Sequence, residues 1–130
     1  MSMGNIIIAK TWQDSVEPFG KILLRAEGND VSAQVQFYIK DAGIAELAEK
    51  LTRFAQTAME TCTWSSGPDC TLRLLRRDLA KHIRIEVSVR VDDEDSHICT
   101  FYVDGIEAWP LECFAANLSK LKPGETIRVY

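Results

Sequence analysis

Two histidines, four cysteines and one run of carboxylates are the side chains here best suited to chemistry, and their spacing limits what each can do. Catalysis by His82 or His97 needs an imidazole beside a nucleophile or a carboxylate. Each closes a strand-like segment, and the run Ile83 to Val91 would hold them roughly 30 Å apart at ~3.3 Å per residue. They cannot share a site within one molecule, and both read as hairpin-end residues. Zinc held by thiolates needs cysteines two to four residues apart, a spacing that Cys62, Cys70, Cys99 and Cys113 do not offer. Cys99 and Cys113 fall inside apolar patterns, as small hydrophobes do. Cys62 and Cys70 flank the turn-rich run Trp64 to Asp69, where a disulfide is geometrically conceivable. With no secretory signal in the sequence, all four thiols are expected reduced. The cluster Asp92-Asp93-Glu94-Asp95 lacks the alternating ligands, central glycine and distal glutamate of a calcium loop, and reads as a solvated hairpin tip. None of the seven glycines belongs to a phosphate-binding cluster. No catalytic set, metal or cofactor is expected, which leaves binding as the leading function.

Charge says more than motifs. The chain carries 15 basic and 19 acidic side chains, and its pI near 5.2 argues against nucleic acid as a general partner, since phosphates call for a basic surplus. The charges are segregated: Cys70 to Arg90 holds six basic and two acidic residues, Val91 to Glu112 seven acidic and none basic. A turn at Arg76-Arg77 and an acidic tip at Asp92 to Asp95 should therefore emerge at opposite ends of a sheet, either one suited to steering a charged partner.

The elements that must position these residues follow from periodicity. Ile44, Leu47, Ala48, Leu51, Phe54, Ala55 and Ala58 recur every three or four residues, which predicts an amphipathic helix over Asp41 to Met59, with Asp41 able to accept a first-turn amide. Thr61 to Asp69 then breaks it. Strict alternation predicts half-buried strands at Val31 to Lys40 and His82 to Val91. Shorter strands are expected at Asn5 to Ala9, Gly20 to Ala26, Thr71 to Leu75 and Ser96 to Val103, bounded by turn residues. A second helix is expected from about Pro110 to Leu121, although Asp104-Gly105 suits a further hairpin, and a short strand could close the chain at Glu125 to Tyr130.

With 130 residues, 46% of them apolar, the chain is expected to form one α+β domain around one core. The order βββαβββα predicts an antiparallel sheet of about six strands with both helices on one face. The uncovered face would present Gln34, Gln36, Tyr38, Arg73, Arg84, Glu86, Ser88 and Arg90. Trp64, the most loop-like of the three tryptophans, is the aromatic candidate for a contact, while Trp12 and Trp109 read as lids on the core. No internal repeat is visible in the sequence.

This element order, with the strand ending in Phe37-Tyr38-Ile39-Lys40-Asp41 and running directly into a helix, resembles small bacterial immunity proteins of the WapI-like type over about Lys21 to Leu121. The resemblance implies a role by binding, such as neutralising a toxin-like protein by occlusion, and the lack of a signal-like segment adds the expectation of a cytoplasmic location. It carries no motif from which a residue's role could be transferred. The extra amino-terminal strand, the carboxyl-terminal tail and the basic stretch at Arg76-Arg77 depart from the group's minimal form. The rival reading is a structural or regulatory domain that self-associates through a sheet edge or its polar face. A membrane partner is not expected, because the longest aliphatic run near the start, Ile6 to Ala9, is far too short to span one.

Overall fold

A computed structural model of the chain describes residues 4–76, 82–90 and 97–130. Among the described residues, alternating apolar side chains build eight strands: β1 (Asn5–Gln13), β2 (Phe19–Glu27), β3 (Ser32–Lys40), β4 (Thr61–Ser65), β5 (Cys70–Arg76), β6 (His82–Arg90), β7 (Ile98–Glu107) and β8 (Thr126–Arg128). The helices are α1 (Asp41–Gln56) after β3 and α2 (Ala108–Leu118) after β7. The α+β class, the antiparallel pairing and the two helices agree with the sequence reading. The single six-stranded sheet does not. There are two four-stranded sheets, in the orders β3-β2-β1-β8 and β4-β5-β6-β7.

A further strand lies at Thr61 to Ser65, where the sequence predicts a break. Thr61, Thr63 and Ser65 are exposed while Trp64 is buried, so the segment alternates like any half-buried strand and pairs with β5 from Thr61↔Leu75 to Ser65↔Thr71. Its polar residues conceal the pattern.

The two sheets repeat one arrangement. A three-stranded meander, β1-β2-β3 or β5-β6-β7, is followed by a helix, and the strand after the helix pairs with the first strand of the other meander: β4 on β5, and β8 on β1. Each helix carries the chain from the edge of one sheet to the edge of the other. Accordingly α1 touches β3 and β4, α2 touches β7 and β8, and the helices pack on each other. The repeat lies in topology, which explains why it is invisible in the letters.

The apolar faces of both sheets and both helices meet in one core cluster. Ile6, Ile8, Ile22, Leu24, Phe37 and Ile39 line it from the first sheet, and Trp64, Leu72, Leu74, Ile83, Ile85 and Val87 from the second. Leu47, Leu51 and Phe54 of α1 and Leu111 and Phe114 of α2 complete it. Lys40, not Asp41, caps α1, and it does so without a side-chain bond. The Asp41 amide donates to the Pro18 carbonyl (2.9 Å), and its carboxylate accepts from Gln13 (3.4 Å), so the expected capping role is replaced by a tie to the β1–β2 connection.

Two bulges set the outward faces. Between Ile83↔Ile106 and Ile85↔Val103, β7 holds one more residue than β6, and Gly105 takes φ 78°, a conformation that favours glycine. Asp104-Gly105 is thus a bulge within β7 rather than a hairpin. In β1, the register shifts between Lys10↔Ile22 and Trp12↔Lys21. Ile6, Ile8 and Lys10 share the inward parity, and without the extra residue Trp12 would follow them. The bulge turns Trp12 to the outer face instead.

Candidate binding faces

The register defines the outer face of the first sheet row by row. Trp12, Lys21 and Tyr38 stand side by side on β1, β2 and β3, next to the pair Phe19 and Lys40. Then come Thr126, Ala9, Leu23 and Gln36, followed by Arg128, Ile7, Arg25 and Gln34. Trp12, Phe19 and Tyr38 pack edge-to-face, with ring centres 5.4 Å (Trp12 to Phe19), 6.1 Å (Trp12 to Tyr38) and 6.3 Å (Phe19 to Tyr38) apart. Such pairs steady a sheet surface. They do not remove it from water: Trp12 remains 42% and Tyr38 63% exposed, and Val16 at the β1–β2 connection 84%.

This face is locally basic on an acidic chain. Lys21 lies 5.5 Å from the Tyr38 ring centre, a cation–π distance. Arg25 is paired with Glu27 at 3.5 Å, whereas Lys21, Lys40 and Arg128 have no carboxylate within salt-bridge reach among the described residues. Beside them an open cleft of about 610 Å³ is lined by Glu17, Pro18, Phe19, Tyr38, Ile39 and Lys40. The nearby Asp14 carboxylate is occupied, accepting the amides of Val16 and Glu17.

The outer face of the second sheet differs in kind. Ser65, Thr71, Ser88 and Thr100 form a hydroxyl row across all four strands, joined by Ser88 to Thr100 (3.0 Å) and Thr71 to Ser65 (3.3 Å). Its charges are matched internally. Arg73 meets Glu86 at 2.7 Å, and Arg84 grips Asp104 through Nε (2.7 Å) and Nη2 (3.1 Å) while lying 4.4 Å from the Tyr102 ring centre. The Asp104 hydrogen bond holds the Arg84 guanidinium above its ordinary range.

The residues expected to form one polar face are therefore divided. Gln34, Gln36 and Tyr38 are exposed on the first sheet, and Arg84, Arg73, Glu86, Ser88 and Arg90 lie on the second. Trp64 is not a surface aromatic: it is 1% exposed in β4, and its Nε1 donates to the Gly43 carbonyl at 3.2 Å. Arg76 is not a free turn charge. It folds over Phe54 and donates to three backbone carbonyls at the end of α1. Arg77 and the tip Asp92, Asp93, Glu94 and Asp95 lie outside the described residues. The sequence reading missed Trp12, Phe19, Lys21, Lys40 and Arg128. A tryptophan two residues beyond Lys10 has core parity until the bulge intervenes, so only the register reveals the patch.

The side chains singled out for chemistry stay apart. His82 opens β6, and His97 lies beyond its other end, where Arg90 pairs with Ile98. Cys62 faces Leu74, four residues along β5 from Cys70, or ~13 Å at the rise of a strand, beyond the ~7 Å a disulfide can bridge. All four cysteines are free thiols. Burial, reinforced by the Asp69 charge, pushes the Cys70 thiol up to about 12, which keeps it protonated and unreactive at neutral pH. Among the described residues no three His, Cys, Asp or Glu side chains converge as metal ligands would, and no helix is long and apolar enough to cross a membrane.

Comparison with known proteins adds no relative: no family model matches the chain, and no curated protein is detectably similar to it.

Proposed function

We propose that this chain is a protein-binding domain that works by covering a partner with the outer face of its first sheet, in the manner of an immunity-type protein that occludes a toxin. The observation that carries the reading is the projection of Trp12 and Tyr38 into solvent by a bulge and an edge strand, next to Lys21 and Lys40, which have no carboxylate within salt-bridge reach among the described residues. Trp and Tyr are among the residues that dominate protein contacts, and lysines at their rim can steer an oppositely charged partner. A chain that only needed solubility would have no use for a second aromatic layer outside its core.

The test is residue-resolved. Isotope-labelled protein titrated with a partner that copurifies from its host should shift the resonances of Trp12, Lys21, Tyr38 and Gln36. Shifts confined to Arg73, Ser88 and Thr100 would place the contact on the second sheet and end this reading.

Self-association is the second reading, and one observation favours it. The outer face of the second sheet pairs Arg73 with Glu86 and Arg84 with Asp104, and it ends in Ile98, 69% exposed, on the same strand face as exposed Tyr102. Such a surface can meet a copy of itself without repulsion. Sedimentation of the Ile98→Lys variant against the parent decides it: a dimer lost on substitution supports this reading, and a parent that is monomeric at high concentration removes it.

A further inference from the structure

We infer that the cleft beside Tyr38 takes an acidic segment of a partner protein, with one apolar side chain seated against Phe19 and Tyr38. The inference rests on the proposed role of the first sheet as a binding face and adds the chemistry of what it binds. Charge complementarity selects the occupant. The strand rows of the outer face set Lys21, Arg25, Lys40 and Arg128 against Glu27, which Arg25 already pairs, while Glu17 and Asp14 lie at the β1–β2 connection, where Asp14 accepts two backbone amides. The chain as a whole is net −4, so this face inverts the charge of the molecule that carries it. A second copy offering the same face would meet like charge across a twofold contact, which disfavours a symmetric dimer here.

The cleft supplies the apolar part. Pro18, Phe19, Tyr38 and Ile39 line it together with Lys40 and one carboxylate, Glu17. About 610 Å³ is room for a leucine-sized or phenylalanine-sized side chain with chain on either side. Nucleic acid is the competing polyanion. The three rings are set edge-to-face at 63° to 90° rather than as parallel platforms, a geometry that offers bases little stacking surface.

The probe is a capped heptapeptide with one leucine between two acidic triplets, measured by the change in Trp12 fluorescence and by residue-resolved shifts. Saturable binding is expected at Trp12, Lys21, Tyr38 and Lys40, weakening at least about tenfold between ~0.05 and ~0.5 M salt as the screening length shortens. Replacing the leucine by glycine should cost about tenfold or more, and so should Lys40→Glu with Lys21→Glu, or Tyr38→Ala. Arg73→Gln, on the other sheet, should leave the affinity unchanged. No saturable binding, or equal binding of the glycine peptide, overturns the inference. So does an oligothymidylate that binds this face while the peptide does not. If the peptide fails but a copurified partner still shifts Trp12 and Tyr38, the chemistry of the occupant is wrong and the binding face stands.

Discussion

The guanidinium of Arg76 lies 4.8 Å from the centre of the Phe54 ring and donates to the carbonyls of Phe54 (2.6 Å), Thr57 (2.8 Å) and Met59 (3.2 Å). The last carbonyls of a helix have no partner within it, and the helix dipole favours a cation there. One side chain from β5 thus closes α1 and secures the turn into β4.

Arg76→Ala should therefore destabilise the protein by about 2 kcal/mol, well outside the ±0.5 kcal/mol of an ordinary surface charge. Urea midpoints at constant slope measure it. A loss of a few tenths would mean that the carbonyls are equally satisfied by water.

Leu51, 2% exposed, and Lys50 are neighbours on α1 with opposite surroundings. Leu51→Ala should cost about 2 to 5 kcal/mol, as large-to-small changes in cores do. Lys50→Ala should cost less than about 1 kcal/mol. Lys50 donates to the Thr63 carbonyl at 2.7 Å and pairs with Glu46 at 3.1 Å, both contacts open to water. Comparable losses would place the helix face wrongly.

Trp64→Phe keeps most of the buried volume but leaves the Gly43 carbonyl without its indole donor, so a loss of about 1 to 3 kcal/mol is expected. Trp64→Ala should lose about 3 to 5 kcal/mol. Acrylamide should quench Trp12 and Trp109, 42% and 73% exposed, and spare Trp64. Single-tryptophan variants make that comparison direct.

The Cys70 thiol gives stability an alkaline dependence. Its folded pKa, about 12, lies above the ordinary 9.0 because burial disfavours the thiolate, and the Asp69 charge acts the same way. Above pH 9 the unfolded chain loses this proton while the folded chain keeps it. The contribution is thus intact below pH 9 and lost towards pH 12, at no more than about 1.4 kcal/mol per pH unit. Burial also raises Tyr130, which titrates in the same direction. The comparison of parent with Cys70→Ala isolates the thiol: the variant should show the shallower fall of melting temperature with pH. Parallel curves would contradict it.

Much of the fold was legible because strands and helices with one buried face write their period into the sequence. The alternation from Ser32 to Lys40 and from His82 to Arg90 places every side chain on the face it occupies. The helix stripe names Ile44, Leu47, Ala48, Leu51 and Phe54, all buried. The partition into two sheets was not legible, because pairing depends on which edge a crossover reaches. β4 was missed for a different reason: its five residues carry two threonines and a serine around a single buried tryptophan. At the candidate face, Gln34, Gln36 and Tyr38 could be read from parity. Trp12 could not, since one extra residue in β1 reverses its side.

The exchange of final strands has a kinetic consequence. The free edge of β1 receives its partner only when Ile127 reaches Ile8, and that pairing joins opposite ends of the described chain. Closing so long a loop comes late and slowly. During synthesis the first meander can fold early, yet its β1 edge stays open until almost the whole chain has emerged. An open edge is a template for unwanted pairing. Three residues of β8 thus act as the bolt that ends the molecule's exposure to misassembly, and the rate of refolding should be set by their arrival.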